Sequence, residues 1–254
     1  MAQKKPEQTE IVTIERGRIQ FSILGTSPLI CEAMSAKVRQ DLLLPPQKKN
    51  AAAKASSLKH NPVEEFRSSV YRSRGDIAPT RIVFPSTAFK KALAGVAVDL
   101  PGSTKAQIGR LTFVEGAHVS IYGIPELMMS VTRSAGMNRT PDVRSRAILP
   151  EWACQIEVTY IRPVLKRTMV TNLLGAAGMM QGIGGWRPEK GAGDFGRFTI
   201  VSPEDPDFKR IMETGGMTTQ DVALETPRFF DSETEQLYGW FKQEAKDRGF
   251  REAV

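Results

Sequence analysis

The stretch from Glu151 to Ser202 constrains the fold more than any other. "EWACQIEVTYI" (151–161) places Trp152, Cys154, Ile156, Val158 and Tyr160 on one side and Gln155, Glu157 and Thr159 on the other, the period of a half-buried strand. The apolar run "TMVTNLLGAAGMM" (168–180) then reads as a helix. "GIGGWRPEKGAGDFGRFTI" (182–200) follows, with six glycines, three cations and a tryptophan, and leads into a second strand, "FGRFTIVS" (195–202). A chain built this way needs a sheet with helices packed on a face.

The glycine stretch invites two readings that its context rejects. "GAGDFG" fits G-x-G-x-x-G at Gly191, Gly193 and Gly196, but a dinucleotide loop follows a strand and opens a helix, and here the order is reversed. "DFG" at 194–196 stands without the lysine strand and H-R-D loop of a kinase. No G-x-x-x-x-G-K-[ST] occurs.

Upstream, "RIQFSIL" (18–24) alternates Ile19, Phe21 and Ile23 against Arg18, Gln20 and Ser22, and predicts a strand. "MSAKVRQDLL" predicts a short helix ended by Pro45 and Pro46. "NPVEEFRSSVYR" (61–72) predicts another, with Asn61 as cap, Pro62 first and Glu64 and Glu65 in the opening turn. "RIVFPSTAFKKALAGVAV" gives a strand (81–84) and a helix from about Pro85 to Val98, with Phe89, Leu93 and Val96 at helical spacing. "LTFVEGAHVSIYG" (111–123) is strand-like and broken at Glu115-Gly116. Residues 126–149 read as an extended connection with four arginines. The tail 231–249 reads as a helix capped by Ser232. Met128, Met129, Met179 and Met180 read as core filler. Setting aside insertions at about 34–74 and 126–149, the order is strand, helix, strand, strand, helix, strand. The expected class is α+β, with a ferredoxin-like or RRM-like βαββαβ core, basic insertions and a C-terminal helical tail.

Charge narrows the partners. The chain of 254 residues carries 35 basic and 28 acidic side chains, a net charge of +7, which favours a polyanion. Between Lys37 and Arg74 nine residues are basic and three acidic. Two cysteines and two histidines supply neither a disulfide framework nor metal-ligand spacing. Neither a secretion signal nor a membrane-spanning run is visible, so a cytoplasmic protein in a reducing compartment is expected. His60, His118 and Asp41 are weak candidates for acid–base or metal chemistry, since the sequence gives none of them a partner.

A helix, glycine loop and strand ending a ferredoxin-like fold is similar to the RAMP superfamily, which includes backbone subunits of CRISPR effector complexes and their guide-processing relatives. "TSPLICEAMSAKVRQDLL", "FPSTAFKKAL" and "GIGGWRPEKGAGDFGRF" also resemble a family of mostly uncharacterised bacteriophage proteins. The resemblance spans about residues 18–202, a RAMP-like domain 1–202, and leaves 203–254 as a helical extension. It implies that 126–149 occupies the position of a thumb and 34–74 that of a helical insertion beside a basic groove. It also implies stacking of copies along a single strand. No histidine stands in the loop positions where processing relatives use one.

Residues and resemblance together lead to a non-enzymatic binder of single-stranded RNA or DNA, oligomeric along the strand, without cofactor, metal or membrane. In a phage-like setting its task would be strand protection, annealing or recombination, or that of a subunit resembling a CRISPR backbone. The expected contacts are Lys37, Arg39, Lys48, Lys49 and Lys54 in the insertion, then Arg133, Arg139, Arg144 and Arg146 in the thumb-like connection. Trp186, Arg187, Lys190 and Arg197 complete them at the glycine loop, where an indole offers a π-face and cations meet phosphates. Two other readings stay open: a RAMP-type endoribonuclease, and an assembly protein that meets an acidic partner.

Overall fold

The structure is a computed structural model, which describes residues 13–34, 42–44, 58–75, 78–133, 141–191 and 193–250. The expected helix at 34–43 lies for the most part outside them, as do Lys37, Arg39, Lys48, Lys49, Lys54 and Arg139.

In chain order the first elements are β1 (Glu15–Gly25), β2 (Leu29–Ile30), α1 (Pro62–Ser68), β3 (Tyr71–Arg72), β4 (Ile82–Pro85), α2 (Ser86–Val96), α3 (Lys105–Leu111), β5 (Thr112–Val114) and β6 (His118–Tyr122). There follow β7 (Glu126–Arg133), β8 (Pro141–Leu149), β9 (Ala153–Arg162), α4 (Arg167–Met180), β10 (Phe198–Val201), α5 (Pro206–Thr214), α6 (Met217–Glu225) and α7 (Ser232–Asp247). The class is α+β. Among the described residues, seven strands form a larger sheet in the order β10-β1-β9-β6-β4-β3, with β5 also paired to β9, and three form a smaller one, β2-β8-β7. All these pairings are antiparallel.

Alternation in β1 and β9 fixes the centre of the larger sheet. Their register sets Ile19 opposite Val158, Phe21 opposite Ile156 and Ile23 opposite Cys154, and all six are buried. A slip of one residue would turn this row outward, so the pattern specifies the pairing. Helices α2 and α4 cover the row with Phe89, Leu93 and Val96 and with Val170, Leu173, Leu174 and Ala177, in one core with the strands. Each large side chain so buried contributes roughly 1.5–3 kcal/mol. On the other face, Phe208 and Ile211 of α5 pack against Ala153.

Local signals set several boundaries. Asn61 caps α1 by accepting from the Glu64 amide at 3.2 Å, with Pro62 in the first turn. The break at Glu115-Gly116 separates β5 from β6. In α7 the cap is Asp231, whose carboxylate accepts from the Thr234 amide at 2.7 Å, so Ser232 is the first helical residue and not the cap.

Other expectations are corrected. Residues 126–149 are more than an extended connection: β7 and β8 form a hairpin paired from Glu126–Ile148 to Arg133–Pro141. Met128 and Met129 are buried, but Met179 and Met180 are exposed, because they lie on the outer side of the last turn of α4. Helix α3 had no expected counterpart, and α5 and α6 lie in the expected helical extension, where only 231–249 was read as a helix. Helix α3 starts with a capping box of Thr104 and Gln107. Among the described residues no helix is long and apolar enough to cross a membrane.

Candidate nucleic-acid interface

The loop between α4 and β10 folds back on itself. Ile183 donates its amide to Gly196 O at 3.0 Å and Phe195 donates to Trp186 O at 3.2 Å, so two arms run side by side. Gly185 donates to Ile30 O at 2.9 Å and Gly196 to Pro28 O at 2.8 Å, which ties both arms to the chain around β2. A Cβ on Gly193 would stand 1.6 Å from Trp186 O, and one on Gly196 1.8 Å from Ile183 O. These two glycines are required because backbone crosses backbone within the loop. The amides of 183 and 195 are therefore used within the loop and those of 185 and 196 on the chain around β2, so these four form no anion nest of the kind the glycine content suggests.

What the loop presents is a tryptophan. Among the described residues, Trp186 is the one non-glycine with φ in the left-handed region, at +47°, and it is 37% exposed. Its ring lies 6.1 Å from that of Phe195 at 54°, and the Arg146 guanidinium stands 5.7 Å from the indole centroid. Arg146 projects from β8, and its Nη1 is 3.1 Å from Glu32 Oε1. Burial pushes the Arg146 pKa down, Arg144 adds to that and Glu32 opposes it. The contact of indole and guanidinium joins the hairpin to the glycine loop across the two sheets.

Among the expected cations whose side chains are described, four of five are already paired. Arg187 donates from Nη1 to Gly184 O and from Nε to Glu189 Oε2, both at 2.8 Å. Burial works against the Glu189 charge, yet Arg187, with Lys190 and Lys105, holds its pKa below the usual carboxylate range. Arg197 Nε meets Asp194 at 2.8 Å. Arg144 Nη2 meets Asp142 at 3.3 Å. Asp142 also accepts from Lys59 at 2.8 Å and faces His60 Nε2 at 3.0 Å, while His60 Nδ1 lies 2.7 Å from Glu65. The hydrogen bond from Lys59, with that from His60, holds the Asp142 pKa below the ordinary range against partial burial. This cluster fastens the start of α1 to the turn end of the hairpin, where Asp142 pairs with Thr132.

The structure thus sets Arg146 against Trp186, and the grooves that hold Arg187 and that hold Arg144 with Arg146 share Glu32; Lys190 and Arg197 belong to the glycine loop itself. Lys190 lies exposed in a 3-10 turn at Pro188–Lys190. Arg133 lies at the end of β7; its side chain falls outside the described residues. Sequence reasoning missed the carboxylates. Arg187 with Glu189, and Asp194 with Arg197, are close in sequence and could have been read as local pairs. Glu32 and Asp142 reach their partners only through the fold.

No family model matches the chain, and no curated protein matches it. Among solved structures it is similar to the cryo-EM structure of the Type III-B Cmr-beta bound to cognate target RNA, with 8% sequence identity and a TM-score of 0.39. That alignment covers 74% of this chain and 59% of the other, so the chain spans about three fifths of that protein's length. It is also similar to the crystal structure of Cmr6 from Pyrococcus furiosus, with 8% identity, a TM-score of 0.34, and coverage of 74% of this chain and 98% of the other.

Proposed function

We propose that this protein is a non-enzymatic binder of single-stranded nucleic acid whose contact face is centred on Trp186. The observation that carries the reading is that exposed indole, held with positive φ on a braced loop beside Arg146, Arg187 and Lys190. Backbone strain that surrounding contacts maintain is typical of sites that present a side chain to a ligand. The indole stacks a base, and the cations exchange their carboxylate partners for phosphates. Exposed ion pairs are worth only ~0.2–1 kcal/mol each, so the exchange costs little at Arg197, whose pair with Asp194 is exposed, and more at the half-buried Arg146.

The same reading takes the larger sheet as a ferredoxin-like core. Strands β1, β6, β9 and β10 with α2 and α4 follow the strand-helix-strand-strand-helix-strand order, and in space the strands lie β10-β1-β9-β6. On this frame the β7–β8 hairpin takes the thumb's role. Binding without cleavage fits His60, whose two ring nitrogens both face carboxylates and leave none to take a substrate proton. Stacking of copies along a strand fits the charge division: residues 1–202 hold 28 basic and 16 acidic side chains, and 203–254 hold 7 and 12. The phage setting rests on the sequence resemblance alone and would make strand protection, annealing or recombination the task.

The test is a titration of labelled mixed-sequence single-stranded RNA and DNA, with wild type and with Lys190→Ala combined with Arg144→Ala. Both side chains are exposed, so the double variant should keep its melting temperature and lose affinity. Undiminished affinity in the variant, or cleavage of the labelled RNA by wild type, would overturn the reading.

A further inference from the structure

Three grooves open around one side chain. The first, of about 240 Å3, lies between the start of α2 and the glycine loop and is lined by Thr87, Lys91, Arg187 and Glu189 among others. The second, of about 860 Å3, follows β8 from the turn end of the hairpin past His60, Asp142, Arg144 and Arg146. The third, of about 1050 Å3, follows the outer strand β3 past Arg72, Arg74 and His118. Tyr71 lines all three.

Tyr71 is built to stand there. It occupies the edge of the larger sheet, paired with Val83, and its ring rests on the buried ring of Phe84 with centroids 6.3 Å apart at 66°. The residue is still 36% exposed. The cations nearby are not equivalent. Arg67 is occupied, donating to the carbonyls of Leu224 and Glu225 and to Glu64. Arg72 gives one Nη2 bond to Arg67 O. The neighbouring Asp221 is already held at both oxygens by Arg81, at 2.7 and 2.9 Å. Arg74 is exposed and has no ion-pair partner among the described residues.

We propose that Tyr71 is a base-stacking station at the junction of the three grooves, and that Arg72 and Arg74 hold the phosphates of the strand as it passes along β3. This rests on the reading of the protein as a single-strand binder and extends its path beyond the glycine loop. An aromatic face accepts any base, and guanidinium groups fork onto phosphate. A peptide adding to the sheet edge would need a longer row of free backbone groups than the two residues of β3.

The experiment titrates mixed-sequence single-stranded oligonucleotides of increasing length against four proteins: wild type, Tyr71→Phe, Tyr71→Leu, and Arg72→Ala combined with Arg74→Ala. Thermal melts accompany each. Tyr71→Phe should bind as wild type does. Tyr71→Leu should weaken binding of long oligonucleotides roughly five- to hundredfold, leave that of the shortest bound ones unchanged, and keep the melting temperature. If Tyr71→Leu melts early, the exposed arginine pair decides, with the same length dependence expected. Equal binding of every length by Tyr71→Leu and by the arginine variant overturns the proposal. The binding reading then stands if Lys190→Ala with Arg144→Ala still weakens wild-type affinity. Absence of binding by wild type at any length removes both.

Discussion

Trp186 and Gly193 face each other across the glycine loop and answer to different forces. The indole is held by Phe195 and Arg146 at a φ that side chains other than glycine rarely adopt, and it remains exposed. Trp186→Ala should weaken strand binding by about 1–3 kcal/mol, the worth of one stacked base, which a titration beside a thermal melt will measure. A lowered melting temperature with unchanged affinity would make the indole a packing residue only. Gly193 has no room for a methyl group, because Trp186 O would lie 1.6 Å from it. Gly193→Ala should therefore cost about 1–3 kcal/mol of stability by overpacking, seen as a fall of a few degrees in the melt.

At the scale of elements, the joint between α1 and the hairpin is the informative one. Asp142 collects Lys59, His60 and Arg144, and Lys59 with His60 holds its pKa below the unfolded value. A depressed carboxylate pKa means that the unfolded chain binds the proton more readily. The contribution of Asp142 is thus present above about pH 4, its ordinary pKa, and is lost as pH falls through the lower folded value. Asp142→Asn should be less stable than wild type at neutral pH, and the difference should shrink on acidification below pH ~4. Melts of both proteins from neutral to acidic pH test this; a gap that stays constant would assign the loss to packing. The hairpin also shows why this stretch reads as a loop from sequence. "DVRSRAIL" does alternate, but its inward residues include Ser145 and Ala147, buried beneath α1. Small buried side chains carry little of the apolar signal that marks a strand.

The whole molecule sets the strength of binding and the place of the tail. Four of the candidate cations, Arg144, Arg146, Arg187 and Arg197, stand beside carboxylates, so attraction rests on the summed field as well as on single contacts. Affinity for a mixed-sequence strand should fall by orders of magnitude as salt rises from low to several-fold physiological; a flat salt profile with strict sequence preference would contradict it. The tail is joined to the sheet through Gln220, which is fully buried. Its Nε2 donates to the carbonyls of Ile121, Gly123 and Gly215, and its Oε1 accepts from the Ile82 amide. Gln220→Ala strands several of these groups at roughly 1–3 kcal/mol each, and a melt should show a loss of about 3 kcal/mol or more.

The sequence by itself determined what depends on neighbours a few residues apart. The alternation of β1 and β9, the helical spacing in α2 and α4, the Asn61 cap and the break before β6 are all local regularities, set by backbone geometry and the burial of one face. Only the tertiary structure decided that the glycines serve contacts within the loop, that Glu32 and Asp142 reach Arg146 and Arg144, and that Tyr71 stands where three grooves meet. Those are contacts between residues far apart in the chain. They exist because packing the two sheets together brings such residues within ångströms, and no period in the sequence encodes that distance.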